Sequence, residues 1–447
     1  MGGCIVHEGH PILAGHGDNH ICDERLVVRI KELIEARGVF RFLRVPLILL
    51  LHLTDGMRRP PFLRRSHSCE AALPWVTGRW PEKGRTAVNQ HTVGRKIAGV
   101  DLGDRDSWVC IIDGASGEVL ERATIPTSGE AFGEYFARCE PMLVALETGT
   151  HSPWASRAVT DAGHEVIVAN ARQLPLIYGS KHKSDARDPE KLARVARLDV
   201  RLLAPVEHRP REQQRDLSVI RSRHALVRSR TLLINAARGM VKAFGSRLPK
   251  CDADVFHKVA WEFVPSELGL SLHPIFESIT TLSRQIRALE DEIERLAREE
   301  YPHTQLLTQV SGVADLTALA FVLTLGDPRR FSDSRMVGAY LGLAPGRRQS
   351  GDRDQPMSIT KAGDEYLRWL LVQCANFILR RDSPDTDLKR HGRKLAKSGS
   401  KIAKRIAKVA VARKLAVLLH ALLVTGEVYE PLRNTSVRRR RQAPLSA

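Results

Sequence analysis

Asp185 and Asp188 stand three positions apart in "KHKSDARDPEKLARVARLD", the stretch from Lys181 to Asp199. On a helix that spacing puts both carboxylates on one face, where they repel unless positive charge lies between them. A metal ion bound to a phosphate would supply it; a solvated helix start is the plainer reading. Two more acids have a similar setting: Asp101 closes the apolar run "IAGVD" and Glu147 closes "PMLVALE". Converging carboxylates need a hard cation to neutralise them, and two Mg²⁺ ions roughly 4 Å apart would do so and polarise a scissile phosphate. The neighbouring bases Lys181, Lys183 and Arg187 would then hold a DNA backbone. Taken singly, each acid reads as a strand cap, an arginine partner or a helix N-cap. Taken together, in this order, they read as a metal site.

The elements that must position these acids follow from the hydrophobic pattern. "IAGVDLG", "SWVCIIDG" and "EVLERATIP" read as three strands, "GEAFGEYFARC" as a helix, and "PMLVALET" as a buried strand. "SPWASRAVTDAG" reads as a helix with Ser152 as its N-cap and Gly163 as its stop, and "HEVIVANA" as the next strand. The order β-β-β-α-β-α-β predicts a mixed sheet covered by helices. If the first and fourth strands are neighbours, Asp101 and Glu147 meet at one edge. A helix starting near Ser184 would bring Asp185 and Asp188 over them.

From Arg211 to Glu300 the pattern is helical. Ile275, Ile279, Leu282, Ile286, Leu289, Ile293 and Leu296 alternate four and three positions apart, a heptad seam with charged flanks. The seam predicts a coiled coil and, through it, a homo-oligomer. Residues 303–384 form a further helical block, broken by the polar loop "APGRRQSGDRDQPMSITKAGD". Beyond it Lys394, Lys397, Lys401, Lys404 and Lys408 recur every three or four residues as one basic stripe, and the chain closes on "SVRRRRQ".

Charge narrows the partner. Lys and Arg number 69 against 51 Asp and Glu, a formal charge of +18, which calls for a polyanion and favours nucleic acid over membrane. Phosphate contact is therefore the better reading of Lys397, Lys401 and Lys404. Seven cysteines without paired spacing point to a reducing cytoplasm. The Cys- and His-rich stretch "CIVHEGHPILAGHGDNHIC" fits no common zinc module. No signal peptide is expected at the start. "VPLILLLHL", Val45 to Leu53, is too short to span a bilayer, contains Pro46 and reads as a small buried element.

"IAGVDLGDRDSWVCIID", "LVALETGTHSPWA", "KSDARDPEKLARV", "RRFSDSRMVGAYLGLAPGRRQSG" and "ITKAGDEYLRWLLVQCA" together resemble the DEDD transposases of bacterial insertion sequences, the IS one-ten group with its IS eleven-eleven branch. The resemblance covers about residues 96–425. It implies a first domain of RNase H fold, like the Holliday-junction resolvase RuvC, then a coiled coil and a second, mostly helical transposase domain. It also implies recombination guided by a structured noncoding RNA. Carried over by motif, Asp101, Glu147, Asp185 and Asp188 become the metal ligands. The family's nucleophilic serine lies in a loop of the form P-R-Q-x-S-S-G, which here reads "PGRRQSG". Ser350 fits that serine, although Gly346 follows Pro345 and Gln349 replaces the first of the two serines. Ser358 is the fallback, Arg347 and Arg348 would grip the phosphate, and Lys361 is a looser candidate.

The expected organisation is α/β plus α. Residues 1–92 form a poorly ordered extension outside the resemblance, or one helix around "ERLVVRIKELIEARG" with loops, with no function assigned. A RuvC-like DEDD domain follows at 93–205, then a helical linker with coiled coil at 206–302. The transposase domain with the serine loop spans 303–384, and a basic helix and Arg-rich tail span 385–447. Three rivals compete with a transposase. A hydrolytic resolvase-like nuclease would need the acids without the serine. A sugar-kinase or actin-like ATPase would need a second Gly-rich phosphate loop, and none is found. A non-catalytic nucleic-acid-binding protein would go with a degraded acid set, whereas this one looks intact.

Overall fold

The computed structural model describes residues 94–170, 188–350 and 353–434. The extension 1–92 with its apolar run Val45–Leu53, the residues Lys181, Lys183, Asp185 and Arg187, and the Arg-rich tail lie outside the described residues.

The first domain follows the predicted order. Its elements are β1 (Lys96–Leu102), β2 (Asp106–Asp113), β3 (Val119–Pro126), α1 (Gly129–Ala137), β4 (Leu143–Glu147), α2 (Ser152–Asp161), β5 (Glu165–Ala169) and α3 (Asp188–Leu198). The sheet runs β3-β2-β1-β4-β5. β1, β2 and β3 pair antiparallel, whereas β4 pairs parallel with both β1 and β5. This mixed sheet, covered by helices, is the RNase H-like arrangement. Ser152 does not cap α2 from outside: it is the first helical residue, and its hydroxyl donates to the Gly149 carbonyl at 2.9 Å.

Alternation along β1 assigns its two faces. Ala98 and Val100 join Phe132, Phe136, Ala155 and Val159 in a core under α1 and α2. Ile97 faces the other way, into a core with Leu192, Ala193 and Ala196 of α3. Between them Gly99 lets α3 press onto the strand, because a Cβ there would lie 1.9 Å from the Pro189 carbonyl oxygen and 2.8 Å from the Ala193 nitrogen. Those obstacles are backbone atoms and cannot rotate away. Gly99→Ala is therefore expected to destabilise the domain by about 1–3 kcal/mol. Urea unfolding of the purified variant would measure it, and an unchanged midpoint would mean that α3 can move off the strand freely.

The second half is helical. α4 (Arg211–Ala243) and α5 (Gly269–Arg295) form a long antiparallel hairpin. Ile234, Ala237 and Val241 of α4 pack with Leu272, Phe276 and Ile279 of α5. At the other end Leu217 and Ile220 meet Ile293 and Leu296. Arg223 donates to Glu290 at 2.9 Å, and the buried Arg230 reaches Ser283 at 3.2 Å. The heptad seam is thus partly covered within the chain. Ile279, Ile286, Ile293 and Leu296 are buried, whereas Ile275, Leu282 and Leu289 are half-buried.

α6 (Asp315–Leu325, "DLTALAFVLTL") is apolar nearly all round and correspondingly buried from Thr317 to Leu325. Its last carbonyls are met by Arg209, which donates to Leu323 O at 2.6 Å and Thr324 O at 2.9 Å. That arginine satisfies acceptors a helix end leaves open. β6 (Pro345–Ser350) and β7 (Arg353–Ile359) make a two-stranded sheet. α7 (Glu365–Ile378), α8 (Asp387–Leu395) and α9 (Lys401–Thr425) follow, and Leu371, Val411, Leu415 and Leu419 share one core with α6. The described chain divides into two units: Arg348–Met357 belongs to one, and the rest to the other.

The lysine stripe is not continuous. α8 stops at Leu395, Gly399 takes φ +69°, and the Ser400 hydroxyl caps α9 by accepting from Ala403 N at 3.1 Å. Left-handed backbone at a glycine followed by a serine cap ends one helix and starts another. Lys394 therefore sits on α8, Lys397 in the turn, and Lys401, Lys404 and Lys408 on α9.

Candidate active site

The parallel register of β1 and β4 decides where the acids meet. Gly99 pairs with Ala145 and Val100 with Leu146, so Asp101 comes level with Glu147 at the next step. Leu143 and Ala145 share the α3-side core with Ile97, so alternation puts Glu147 and Asp101 on that same face. Adjacent strands lie about 4.8 Å apart. Both acids are half-buried. On its other side Asp101 pairs with Trp108 of β2. Gly103 makes the turn after Asp101 possible, since a Cβ there would lie 2.2 Å from Asp106 O and 3.0 Å from the Trp108 ring.

α3 enters over this face. Asp188 is its first residue, at the helix end where backbone N–H groups favour negative charge. Lys191, one turn on, donates to the Asp188 carboxylate at 2.7 Å. Glu190 takes Arg122 of β3 at 2.5 Å and Arg194 at 2.8 Å, and these two arginines, Arg194 first, hold its carboxyl below the usual range. At the far end Arg197 donates to Gly114 O and Ala115 O at 3.0 and 2.6 Å. Pinned at both ends, α3 cannot slide along the sheet. His151, in the loop after β4, lies 3.9 Å from Asp104, in the loop after β1, and accepts from the Trp154 indole at 3.2 Å.

The structure thus brings Asp101 and Glu147 together, with Asp188 at the start of the helix that covers them. Among the described residues, no group of three or more His, Cys, Asp or Glu is placed to hold a metal ion. The pair itself is two hard oxygen donors, side by side and half-buried, a donor set suited to a hard divalent cation. Ser350 ends β6, and Ser358 is exposed on β7. Arg347, Arg348, Lys361, Lys397, Lys401 and Lys404 are exposed. Lys361 has a left-handed backbone, φ +55°, held by its N–H on Gly342 O at 3.1 Å. No carboxylate occurs between Asp387 and Glu427. Sequence reasoning missed Trp108 and Lys191; the i, i+3 spacing of Asp188 and Lys191 was the available signal for the second.

Residues 98–245 match a family described as "Transposase" and built on the DEDD transposases of IS110, and residues 304–390 match "Transposase IS116/IS110/IS902 family". A probable family 20 transposase of Pseudomonas aeruginosa is 31% identical over 308 residues, 67% of this chain and 88% of that one. The chain belongs to the IS110-type insertion-sequence transposases. A transposase for insertion sequence element IS1328 of Yersinia enterocolitica is 29% identical to this transposase over 64% of the chain and 84% of its own length. Among solved structures, RuvC of T. thermophilus with a Holliday junction substrate overlaps 22% of the transposase and 90% of the RuvC chain. Its identity is 18% and its TM-score 0.18. Such an enzyme acts on DNA. None of the transposase's described helices is long and apolar enough to cross a membrane.

Proposed function

We propose that this transposase cuts and rejoins DNA through a covalent serine-linked intermediate, with Ser350 as nucleophile and Asp101, Glu147, Asp185 and Asp188 as ligands of Mg²⁺. A structured noncoding RNA selects the DNA, and the working form is a homo-oligomer. The observation that carries the reading is the parallel register that sets Asp101 beside Glu147 on the face covered by α3. Bound there, Mg²⁺ would stabilise charge on the attacked phosphate.

The chain's own residues supply the rest. A new bond forms between Ser350 Oγ and phosphorus while the bond from phosphorus to one deoxyribose oxygen breaks. The serine proton ends, by way of solvent, on that departing oxygen. One phosphoester replaces another, so a strand hydroxyl can reverse the step and reseal DNA without ATP. Arg347 and Arg348 hold the phosphate, and Lys181, Lys183 and Arg187 hold the backbone beside the acids.

Incubation with Mg²⁺ and DNA carrying the element's ends, with RNA transcribed from beside the gene, tests this. A protein–DNA adduct that survives detergent and disappears with protease is the expected product. Cut DNA with free ends and no adduct would instead mean a hydrolytic nuclease.

The exposed lysines of α9 and the preceding turn give a separate expectation. Replacing Lys397, Lys401 and Lys404 with Gln should flatten the log–log dependence of duplex DNA affinity on salt by roughly 0.9 for every phosphate that is no longer neutralised. Filter binding across a salt series reads the slope. An unaltered slope would show that these residues do not meet phosphate.

A further inference from the structure

α7 has a buried face and an open one. Leu367, Leu370, Leu371, Cys374, Ala375 and Ile378 face the core. On the other side Trp369, Gln373 and Phe377 are exposed at four-residue intervals, and Arg380 lies three positions further on. Trp369 is 49% exposed. It does not stand alone: its ring stacks on Tyr366 at 5.8 Å and 12° from parallel. Tyr366 in turn packs on His224 of α4, centroids 3.9 Å apart. Three rings from two helices thus form a column ending in a half-exposed indole.

The surroundings are cationic and amide-rich. Arg223, anchored on Glu290 at 2.9 Å, also meets the Tyr366 hydroxyl, and Arg223 and Arg228 both lie near His224. Arg380 lies over the Phe377 ring at 5.8 Å. Between the two aromatics Gln373 accepts from the Asn376 amide at 3.2 Å. The acids nearby are Asp364, which caps α7 by accepting from Leu367 N at 2.8 Å, the exposed Glu365, Glu290 on Arg223, and Asp382, which lies 3.5 Å from Arg380. Trp369 and Phe377 are eight helical positions apart, about 12 Å along the axis.

In a chain with only 5% aromatic residues and a charge of +18, this stripe has a specific look. A protein-docking helix would carry exposed Leu, Ile or Met between its aromatics; here the intervening groups are amides, and arginine follows. Aromatic platforms stack unpaired bases, amides bond base edges, and arginines meet phosphate. We propose that the outer face of α7 is a stacking site for unpaired nucleobases on a phosphodiester strand, with Trp369 as its platform. The inference rests on the proposed function only for the kind of partner. It is tested in EDTA with no strand cutting, so its failure leaves the carboxylate and serine chemistry standing, and the reverse.

The probe is a fluorescein-labelled 12-nucleotide single strand, as DNA and as RNA, each with a counterpart whose central nucleotides are abasic. Fluorescence anisotropy with the full chain reads both affinities. The wild type should prefer the strand with bases by on the order of tenfold, and Trp369→Ala should erase that preference. Trp369→Phe should keep most of it, whereas Trp369→Leu, which preserves apolar bulk without a π face, should not. A larger ratio with RNA or with DNA identifies the source of the strand, and either supports the site. Three results overturn it: a wild type indifferent to abasic substitution, variants that weaken both strands equally, or a Trp369→Ala protein with an unchanged ratio but a smaller sedimenting species. The last would make the stripe a protein interface. Because the ratio is taken within each variant, partial loss of folded protein does not disturb it.

Discussion

Asp101→Asn is expected to abolish DNA cleavage, lowering its single-turnover rate by on the order of a thousandfold or more, while leaving DNA affinity nearly intact. The amide has the carboxylate's shape and fills the same place at the end of β1, level with Glu147. It lacks the charge that a hard cation needs. Glu147→Gln should do the same. Because both groups would serve one ion, the double variant should lose little more than either single one. Excess EDTA should reproduce the effect in the wild type, and added Mg²⁺ should reverse it there and not in the variants. Rates of strand scission on a labelled substrate give the test. A variant that cuts at the wild-type rate would remove Asp101 from the chemistry. Circular dichroism and urea unfolding of the variant separate a loss of chemistry from a loss of fold, Asp101 being half-buried at the strand's end.

Ser350→Ala should eliminate the covalent protein–DNA adduct, by at least about a thousandfold, while sparing DNA and RNA binding. Only the nucleophile's oxygen is lost. Gel shift and adduct formation, run on the same preparation, separate the two effects. Ser358→Ala is the control, one residue before the end of β7. If that variant loses the adduct and Ser350→Ala keeps it, the nucleophile is Ser358. If neither change matters while Asp101→Asn does, the enzyme hydrolyses its substrate.

The strands, their order and the acids at their ends were legible in the sequence because they are local. A short apolar run ending in Asp or Glu before Gly marks a strand and its terminus within a few residues. The helical character of 211–300 and the seam were legible for the same reason, since a period of three and four can be read along one segment.

What covers a face cannot be read that way. The heptad pattern states that one side of α5 must be buried, and burial by a second copy or by α4 satisfies the pattern equally. Tertiary structure sets α4 against part of that side, through Ile220, Ile234 and Ala237. The lysine spacing looked continuous because periodicity ignores a break that keeps register; the left-handed Gly399 and the Ser400 cap supply that break. The placing of Asp101 level with Glu147, 46 positions apart in the sequence, depends on a parallel register, and the closeness of α3 depends on Gly99 having no Cβ. The column His224–Tyr366–Trp369 joins two helices 142 positions apart. By itself, then, the sequence determined which segments are strands or helices and which side chains could do chemistry. Only the fold decided which of them share a face, because register, helix packing and backbone proximity are relations between segments.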